Sequence, residues 1–226
     1  MANKRFQVFV SSTFEDLQAE RQAAVQAILE AGDIPAGMEL FTANDRSQMQ
    51  VIRDWIDRSD IFVVMLGGRY GSIDAESGKS YVQLEFEHAR DKQKPTLALV
   101  LHEARIAEIQ AGNPLDMRLE QNEPAKYQSF RETLRTNRLT PSFADPKDLK
   151  HEILRGLHTV KQERAAELRG WVRGDYAARL EQENTRLKAD APVSDPNRIP
   201  WPIAFMMIAL VGVLAFVMVW EAVTRK

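Results

Sequence analysis

The feature that most constrains the fold is an unbroken apolar run at residues 61–66, IFVVML, which ends at Gly67-Gly68. A run of this length without polar residues predicts a central strand that is buried on both faces. Short apolar runs at 5–10 and 96–101 alternate with amphipathic segments along the same part of the chain. This alternation predicts a parallel sheet with helices on both faces, and hence an α/β fold.

The remaining elements are predicted from capping signals and apolar periodicity. Two overlapping capping boxes within residues 12–16 predict a helix directly after the first strand. This helix is expected to end at Gly32. A second strand is expected at 38–41. Further helices are predicted around 51–56, 80–92, 125–136 and 146–163, with a short edge strand at 138–143.

Residues 199–220 contain no charged side chain. At about 1.5 Å per residue, a helix of this length would cross a hydrocarbon core of roughly 30 Å. Trp201 and Trp220 stand at its ends, where indole rings favour the headgroup region. We therefore expect a single transmembrane helix with membrane lipid as its partner. Because no secretory signal precedes it, we expect a single-pass protein with a cytoplasmic N-terminal domain and a short tail, 221–226, beyond the membrane.

Two segments connect the α/β domain, which we place at residues 1–165, to this span. Residues 166–190 are strongly charged and have one heptad between Leu180 and Leu187. This pattern fits either a solvated juxtamembrane helix or a short coiled coil. Residues 191–198 form a Pro-rich linker.

The composition argues against several classes of function. A formal net charge of -2 provides no basic excess for a phosphate backbone, so we expect no nucleic-acid partner. The absence of cysteine removes disulfides, thiolate metal sites and cysteine nucleophiles. The four histidines show no metal-ligating spacing, so no metal is expected.

Hydroxyl side chains follow the first predicted strand. Ligands of open parallel sheets bind outside the carboxyl ends of the strands. Ser11, Ser12 and Thr13 lie at that edge and precede a helix, so their hydroxyls and free backbone N–H groups suit a phosphate. Plain helix capping is the alternative.

A glycine-rich turn follows the third predicted strand at the same edge. Gly67 and Gly68 would let the backbone approach a ligand closely. Arg69 could pair with a phosphate, and Tyr70 could stack on a base. The alternative is an ordinary tight turn. The motif is neither a Walker A loop nor a dinucleotide fingerprint.

The next helix begins with the sequence SYVQLEFEHA at 80–89. Its apolar face, which must pack on the sheet, consists of Val82, Phe86 and Ala89. Glu85 lies on the flank of that face beside Tyr81, whereas Glu87 points away from the core. We therefore expect Glu85 to be half buried, with a pKa raised by desolvation, and to act as nucleophile, base or charge stabiliser. A glutamate that merely favours the helix dipole is the alternative.

Three segments resemble a TIR-like family of domains of unknown function, which occurs at the N-termini of bacterial signalling and defence proteins. They are VFVSSTFEDLQAER at 8–21, DRSDIFVVMLGGRYG at 57–71 and SYVQLEFEHA at 80–89. The resemblance covers about the first hundred residues. It implies a flavodoxin-like parallel sheet of about five strands, so the expected fold class is this α/β domain plus a C-terminal transmembrane helix.

The resemblance also implies a chemistry. In catalytically active TIR domains, a helix glutamate after the third strand follows an aromatic residue by four positions and acts at the ribosyl centre as nicotinamide leaves NAD. Glu85 and Tyr81 keep this spacing, with tyrosine in place of the more usual tryptophan. On this basis Glu85 is the candidate catalytic residue, NAD is a candidate substrate, and no cofactor is expected.

Three functions fit the sequence. The leading hypothesis is a membrane-tethered signalling or antiviral defence effector that hydrolyses the N-glycosidic bond of NAD or a related nucleotide. The second is a non-catalytic TIR-like domain that self-associates or recruits a separate sensor or NTPase protein. The third is a nucleoside-processing glycosyl transferase, which would release a free base without acting on NAD.

Overall fold

The computed structural model describes residues 4–37, 48–136 and 140–190. The chain divides into two compact units, Met1–Arg173 and Gly174–Lys226. The strands of the first unit are β1 (Gln7–Ser12), β2 (Ile34–Gly37), β3 (Ile61–Leu66), β4 (Thr96–Leu101) and β5 (Ser142–Phe143). Its described helices are α1 (Gln18–Glu30), α2 (Gln48–Arg58), α3 (Tyr81–Asp91), α4 (Glu103–Gly112), α5 (Pro124–Arg135) and α6 (Pro146–Glu163).

The strands form one parallel sheet in the order β2-β1-β3-β4-β5. This is the flavodoxin-like order, in which the sheet is built outward in two directions from neighbouring strands β1 and β3. Val8 pairs with Ile61 and Ser12 with Met65 across these two strands. The predicted α/β domain with a five-stranded parallel sheet is therefore confirmed.

β3 is buried along its whole length because its side chains alternate between two hydrophobic layers. Its odd-numbered residues pack in a layer with α1, α4 and α6, and its even-numbered residues pack in a layer with α2, α3 and α5. β3, β4 and α6 have the bounds that their apolar patterns predict. The helix predicted at 80–92 is also confirmed as α3, with Ser80 as its N-cap.

The start of α1 differs from the prediction. The helix begins at Gln18, and its N-cap, Leu17, makes no capping hydrogen bond, so the capping boxes of residues 12–16 do not form. Leu17 is buried in the first hydrophobic layer. Its burial sets where the helix can begin, and residues 13–16 form a loop instead. Gly32, with φ 79°, follows the end of the helix, as predicted.

The remaining elements differ from the prediction in three ways. β2 lies at 34–37, whereas the strand predicted at 38–41 falls outside the described residues. Among the described residues of the predicted edge strand, 140–143, β5 comprises 142–143. Helix α4 was not predicted, because Ile109 is the one buried residue in it and its sequence shows no apolar stripe.

The last part of the fold prediction, the C-terminal transmembrane helix, is wrong. The segment on which it was placed, 199–220, lies outside the described residues. Among the helices that the structure describes, none combines the length and apolar character needed to cross a membrane. The fold class that the described residues establish is the α/β domain.

In the second unit, the structure describes one helix, α7 (Gly174–Asp190). Its sequence is strongly charged, and Leu180 and Leu187 are 41% and 61% exposed. The heptad that suggested a juxtamembrane helix or a coiled coil thus lies on a helix whose two leucines face solvent.

A buried carboxylate ties the end of the first unit to the sheet. Asp60 directly precedes β3 and is 8% exposed. It accepts hydrogen bonds from the backbone N–H groups of Gln7 (2.9 Å), Arg169 (3.1 Å) and Gly170 (2.9 Å). Removing this side chain would leave several backbone donors unpaired at the amino ends of β1 and β3.

We predict that Asp60→Ala lowers the free energy of unfolding by about 3 kcal/mol, because an unsatisfied buried donor such as the Gln7 N–H costs about 1–3 kcal/mol and the two part-buried hydrogen bonds from Arg169 and Gly170 are lost as well. Urea denaturation measures the change. The exposed Asp91 at the end of α3 provides the control, and Asp91→Ala should change stability by at most about 0.5 kcal/mol. Equal effects of the two substitutions would contradict the anchoring role.

Candidate active site at the carboxyl ends of β1 and β3

A cavity of about 340 Å³ lies at the carboxyl ends of β1 and β3. Open α/β sheets bind ligands in such a position, where neighbouring strands send the chain in opposite directions. Three segments contribute its lining: residues 12–16 at the end of β1; Arg69, Gly71 and Ser72 after β3; and Tyr81, Val82 and Glu85 in the first turns of α3.

Glu85 is the buried carboxyl of this cavity. Ser80 caps α3 by accepting a hydrogen bond from the Gln83 N–H at 3.2 Å, which places Glu85 one turn into the helix. Glu85 is 1% exposed, more deeply buried than its position on the helix flank predicted. Its Oε1 atom has no hydrogen-bond partner among the described residues. Burial raises the pKa of Glu85 to about 7.

Two groups oppose this shift without cancelling it. The Ser11 hydroxyl and the Arg21 guanidinium both favour the charged form and lower the pKa of Glu85. Ser11 Oγ makes no hydrogen bond of regular geometry within the described residues, so its support for the carboxylate is weak. Arg21, 6% exposed, donates to Ser12 Oγ at 2.6 Å. Desolvation therefore outweighs the available charge stabilisation.

Glu87 has a different environment on the same helix. Lys79 Nζ contacts its two carboxylate oxygens at 2.9 and 2.8 Å, and Gln83 Nε2 donates to it at 2.8 Å. Partial burial would raise its pKa, but these donors prevail and the pKa of Glu87 is lowered. Of the two carboxyls considered from the sequence, Glu85 has the properties of an acid, base or charge stabiliser near neutral pH.

Five of the predicted site residues line the cavity: Ser12, Thr13, Arg69, Tyr81 and Glu85. Ser11 does not line it but lies next to Glu85. Arg69 lies toward solvent, its side chain 28% exposed.

Two predicted site residues, Gly67 and Gly68, serve close packing. A Cβ atom on Gly67 would lie 2.4 Å from Asp16 Oδ2, and one on Gly68 would lie 2.2 Å from the Arg118 carbonyl oxygen. Backbone therefore excludes a side chain at position 68, whereas a side chain at position 67 would have to displace the Asp16 carboxylate and the Leu17 side chain. Neither residue lines the cavity.

Tyr70 is placed differently from the prediction as well. It is 1% exposed, and its hydroxyl donates to Gln83 Oε1 at 2.6 Å. Its ring packs edge-to-face on Phe130 of α5, with ring centroids 6.3 Å apart. The Tyr70 ring is thus part of the second hydrophobic layer and does not line the cavity.

The sequence interpretation missed four charged or aromatic residues of this region: Phe14, Glu15, Asp16 and Arg21. Phe14 lines the cavity with 60% of its surface exposed. Both carboxylate oxygens of Asp16 are buried without a hydrogen-bond partner among the described residues, and burial raises its pKa against the effects of Thr13 and Arg69. For the residues at 14–16, the position directly after the first strand was the available signal, whereas Arg21 lies within α1, where the sequence pattern gives no indication of a site.

The lining therefore combines a carboxyl that titrates near neutrality with a guanidinium, several hydroxyls and the rings of Phe14 and Tyr81. Such a set can hold a polar molecule with an aromatic ring and stabilise a positive charge that develops beside Glu85. Within the described ranges, no cluster of three or more histidine or acidic side chains is arranged to bind a metal ion.

We predict that Glu85 makes the protein less stable as the pH rises from about 4.5 to about 7. Over this window the glutamate ionises in the unfolded chain but stays protonated in the fold, because its pKa is raised from 4.5 to about 7. The linked loss is up to about 3 kcal/mol. Urea unfolding across this pH range should show that Glu85→Gln lacks this loss. Parallel pH profiles of the two proteins would contradict the prediction.

Comparison with known proteins gives the following similarities. The TIR domains of the activated Roq1 resistosome, which recognizes the pathogen effector XopQ, are 14% identical over 67% of this chain and 99% of that chain, with a TM-score of 0.46. The Clostridium botulinum CMP N-glycosidase BcmB is 15% identical over 68% of this chain and 98% of that chain, with a TM-score of 0.37. The diflavin flavoprotein A3 from Nostoc sp. is 16% identical over 74% of this chain and 99% of that chain, with a TM-score of 0.38.

No curated protein matches the sequence. Residues 7–158, more than half of the chain, match the family described as Domain of unknown function (DUF4062). This match agrees with the TIR-like resemblance of the segments at 8–21, 57–71 and 80–89. The chain belongs to the DUF4062 family.

Proposed function

We propose that the α/β domain hydrolyses the N-glycosidic bond of NAD or a related nucleotide, with Glu85 as the catalytic carboxylate. The observation that carries the proposal is the burial of this carboxyl in a cavity where β1 and β3 end, with one oxygen free of hydrogen bonds from the described residues. Perturbed carboxyls in such crevices are candidates for catalysis.

The reaction requires a negative charge beside the anomeric carbon. As the C1′–N bond breaks, its electron pair leaves with the base, and the sugar acquires oxocarbenium character. Ionised Glu85 would stabilise that charge, which is worth more in a desolvated site than in water. Water then adds to C1′ and loses a proton. With NAD the products are ADP-ribose, nicotinamide and a proton.

The other lining residues suit the remaining parts of such a substrate. Phe14 and Tyr81 provide rings against which a base can pack. Thr13 lies in the loop after β1 and provides a hydroxyl, while Arg69 provides the positive charge for a phosphate. Arg21, behind Ser12, keeps a positive charge near Glu85 and prevents its pKa from rising further.

We predict that the full chain releases nicotinamide from NAD, or a free base from another nucleotide, and that Glu85→Gln reduces the rate at least about 100-fold. Chromatography of the released base measures the rate. Glu87→Gln is the matched control: it removes a carboxylate two residues away on the same helix that contacts Lys79 and does not line the cavity.

Activity should be tested at low and high protein concentration, so that a requirement for self-association is detected. A release rate that Glu85→Gln leaves unchanged would refute the catalytic role. If the wild-type chain turns over no nucleotide under either condition, the proposal fails and a non-catalytic interaction domain is the better description.

We also predict the pH dependence of the activity. The charged form of Glu85 is the one that stabilises an oxocarbenium centre, so kcat/KM should increase with pH and level off above the pKa of about 7. Initial rates between about pH 5.5 and 8.5 will show this limb. A rate that falls with pH through the same midpoint would assign Glu85 the role of a general acid instead.

A further inference from the structure

We infer that Glu15 occupies the anion site of Arg69 and that the phosphate of an entering nucleotide displaces it. Arg69 and Glu15 together would thus select phosphorylated ligands over nucleosides. The inference rests on the proposed function in that the ligand is a nucleotide, but its test does not depend on turnover.

The charges around the cavity show why this pair matters. Among the described residues that line it, Glu15, Asp16 and Glu85 are acidic and Arg69 is the one cation. A phosphate therefore has one attractive partner at the lining and several repulsive ones. Without access to Arg69, the cavity would favour neutral or positively charged ligands.

Arg69 has a second hydrogen-bond partner besides Glu15. Its guanidinium contacts the Glu15 carboxylate and also donates to the Met117 carbonyl oxygen at 3.3 Å. The Met117 carbonyl belongs to the segment between α4 and α5, so Arg69 remains connected to the domain if Glu15 moves away. Release of Glu15 would then expose a guanidinium that is already positioned.

Replacement of Glu15 by a phosphate at Arg69 costs little free energy. The side chain of Glu15 is 60% exposed and that of Arg69 is 28% exposed. Ion pairs this close to solvent contribute about 0–1 kcal/mol. A phosphate monoester carries up to two negative charges and can accept two parallel hydrogen bonds from a guanidinium, so it competes well with a single carboxylate. Glu15 leaves into solvent, where its charge is readily hydrated.

The pair also lies at the entrance to Glu85. Glu15 belongs to the loop of residues 13–16, which lines the cavity between the end of β1 and the first turns of α3. Since Glu85 is 1% exposed, a sugar that contacts its carboxyl has to displace part of the surrounding structure. Loss of the Glu15 contact to Arg69 would loosen this loop at the moment when the phosphate binds.

The test compares the binding of AMP with that of adenosine to the full chain by isothermal titration calorimetry. In Glu15→Gln, we expect AMP to bind about fivefold more tightly because it no longer displaces an ion pair or meets this negative charge. Adenosine should bind within about twofold of the wild-type affinity. In Arg69→Gln, the preference for AMP over adenosine should disappear. Glu87→Gln, which also removes an ion-paired glutamate, should change neither ligand.

The inference is overturned if Glu15→Gln changes the affinities for AMP and adenosine equally, if Arg69→Gln keeps the preference for AMP, or if the wild-type chain binds no AMP. The outcomes also separate the two proposals. A protein that shows the selective gain but releases no base supports the ion pair and contradicts the proposed hydrolysis. An active enzyme without the selective gain supports hydrolysis and contradicts the ion-pair role.

Discussion

The burial of β3 on both faces is the constraint on which the rest of the domain depends. Its alternating side chains enter two hydrophobic layers, so helices have to cover both sides of the sheet. With β1 beside it, the connections leave the carboxyl ends of the two strands in opposite directions, and the cavity lies at this edge. The position of the cavity therefore follows from the sheet order, whereas its chemistry depends on a few side chains from the adjoining loops and from α3.

The raised pKa of Glu85 is the main electrostatic feature of the site, because the neighbouring groups stabilise its charge only in part. Glu85 is removed from water as thoroughly as the core residues around it, but the groups near it offer only partial support for its charge. Arg21 donates a hydrogen bond to Ser12 Oγ, and the Ser11 hydroxyl makes no hydrogen bond of regular geometry within the described residues. A structural ion pair would satisfy both partners, as Lys79 does for Glu87. Burial therefore raises the pKa of Glu85, whereas the donors around Glu87 lower the pKa of that carboxyl.

The sequence predicts those parts of the domain that depend on local pattern. Continuous apolar runs locate β3 and β4, and helical periodicity locates the packed face of α3. The depth of Glu85 was underestimated because a helical projection contains only its own helix, while Ser11 and Arg21 approach from other elements. Tyr70 was misjudged for the same reason: a tyrosine in a glycine-rich turn suggests ligand binding, but Phe130, sixty residues away in sequence, covers its ring. At the start of α1, the burial of Leu17 prevails over two local capping signals.

Glu85 is half ionised near pH 7, so the binding of a ligand beside it is coupled to the release or uptake of a proton. A group that carries positive charge beside Glu85 will draw it into its ionised form, and the departing proton passes to the buffer. The measured heat of binding will then include the ionisation enthalpy of that buffer and will vary from one buffer to another at the same pH. When a neutral ligand accepts a hydrogen bond from the protonated carboxyl, Glu85 will instead take up a proton from the buffer. The direction of proton exchange therefore reports the charge of the group that contacts Glu85.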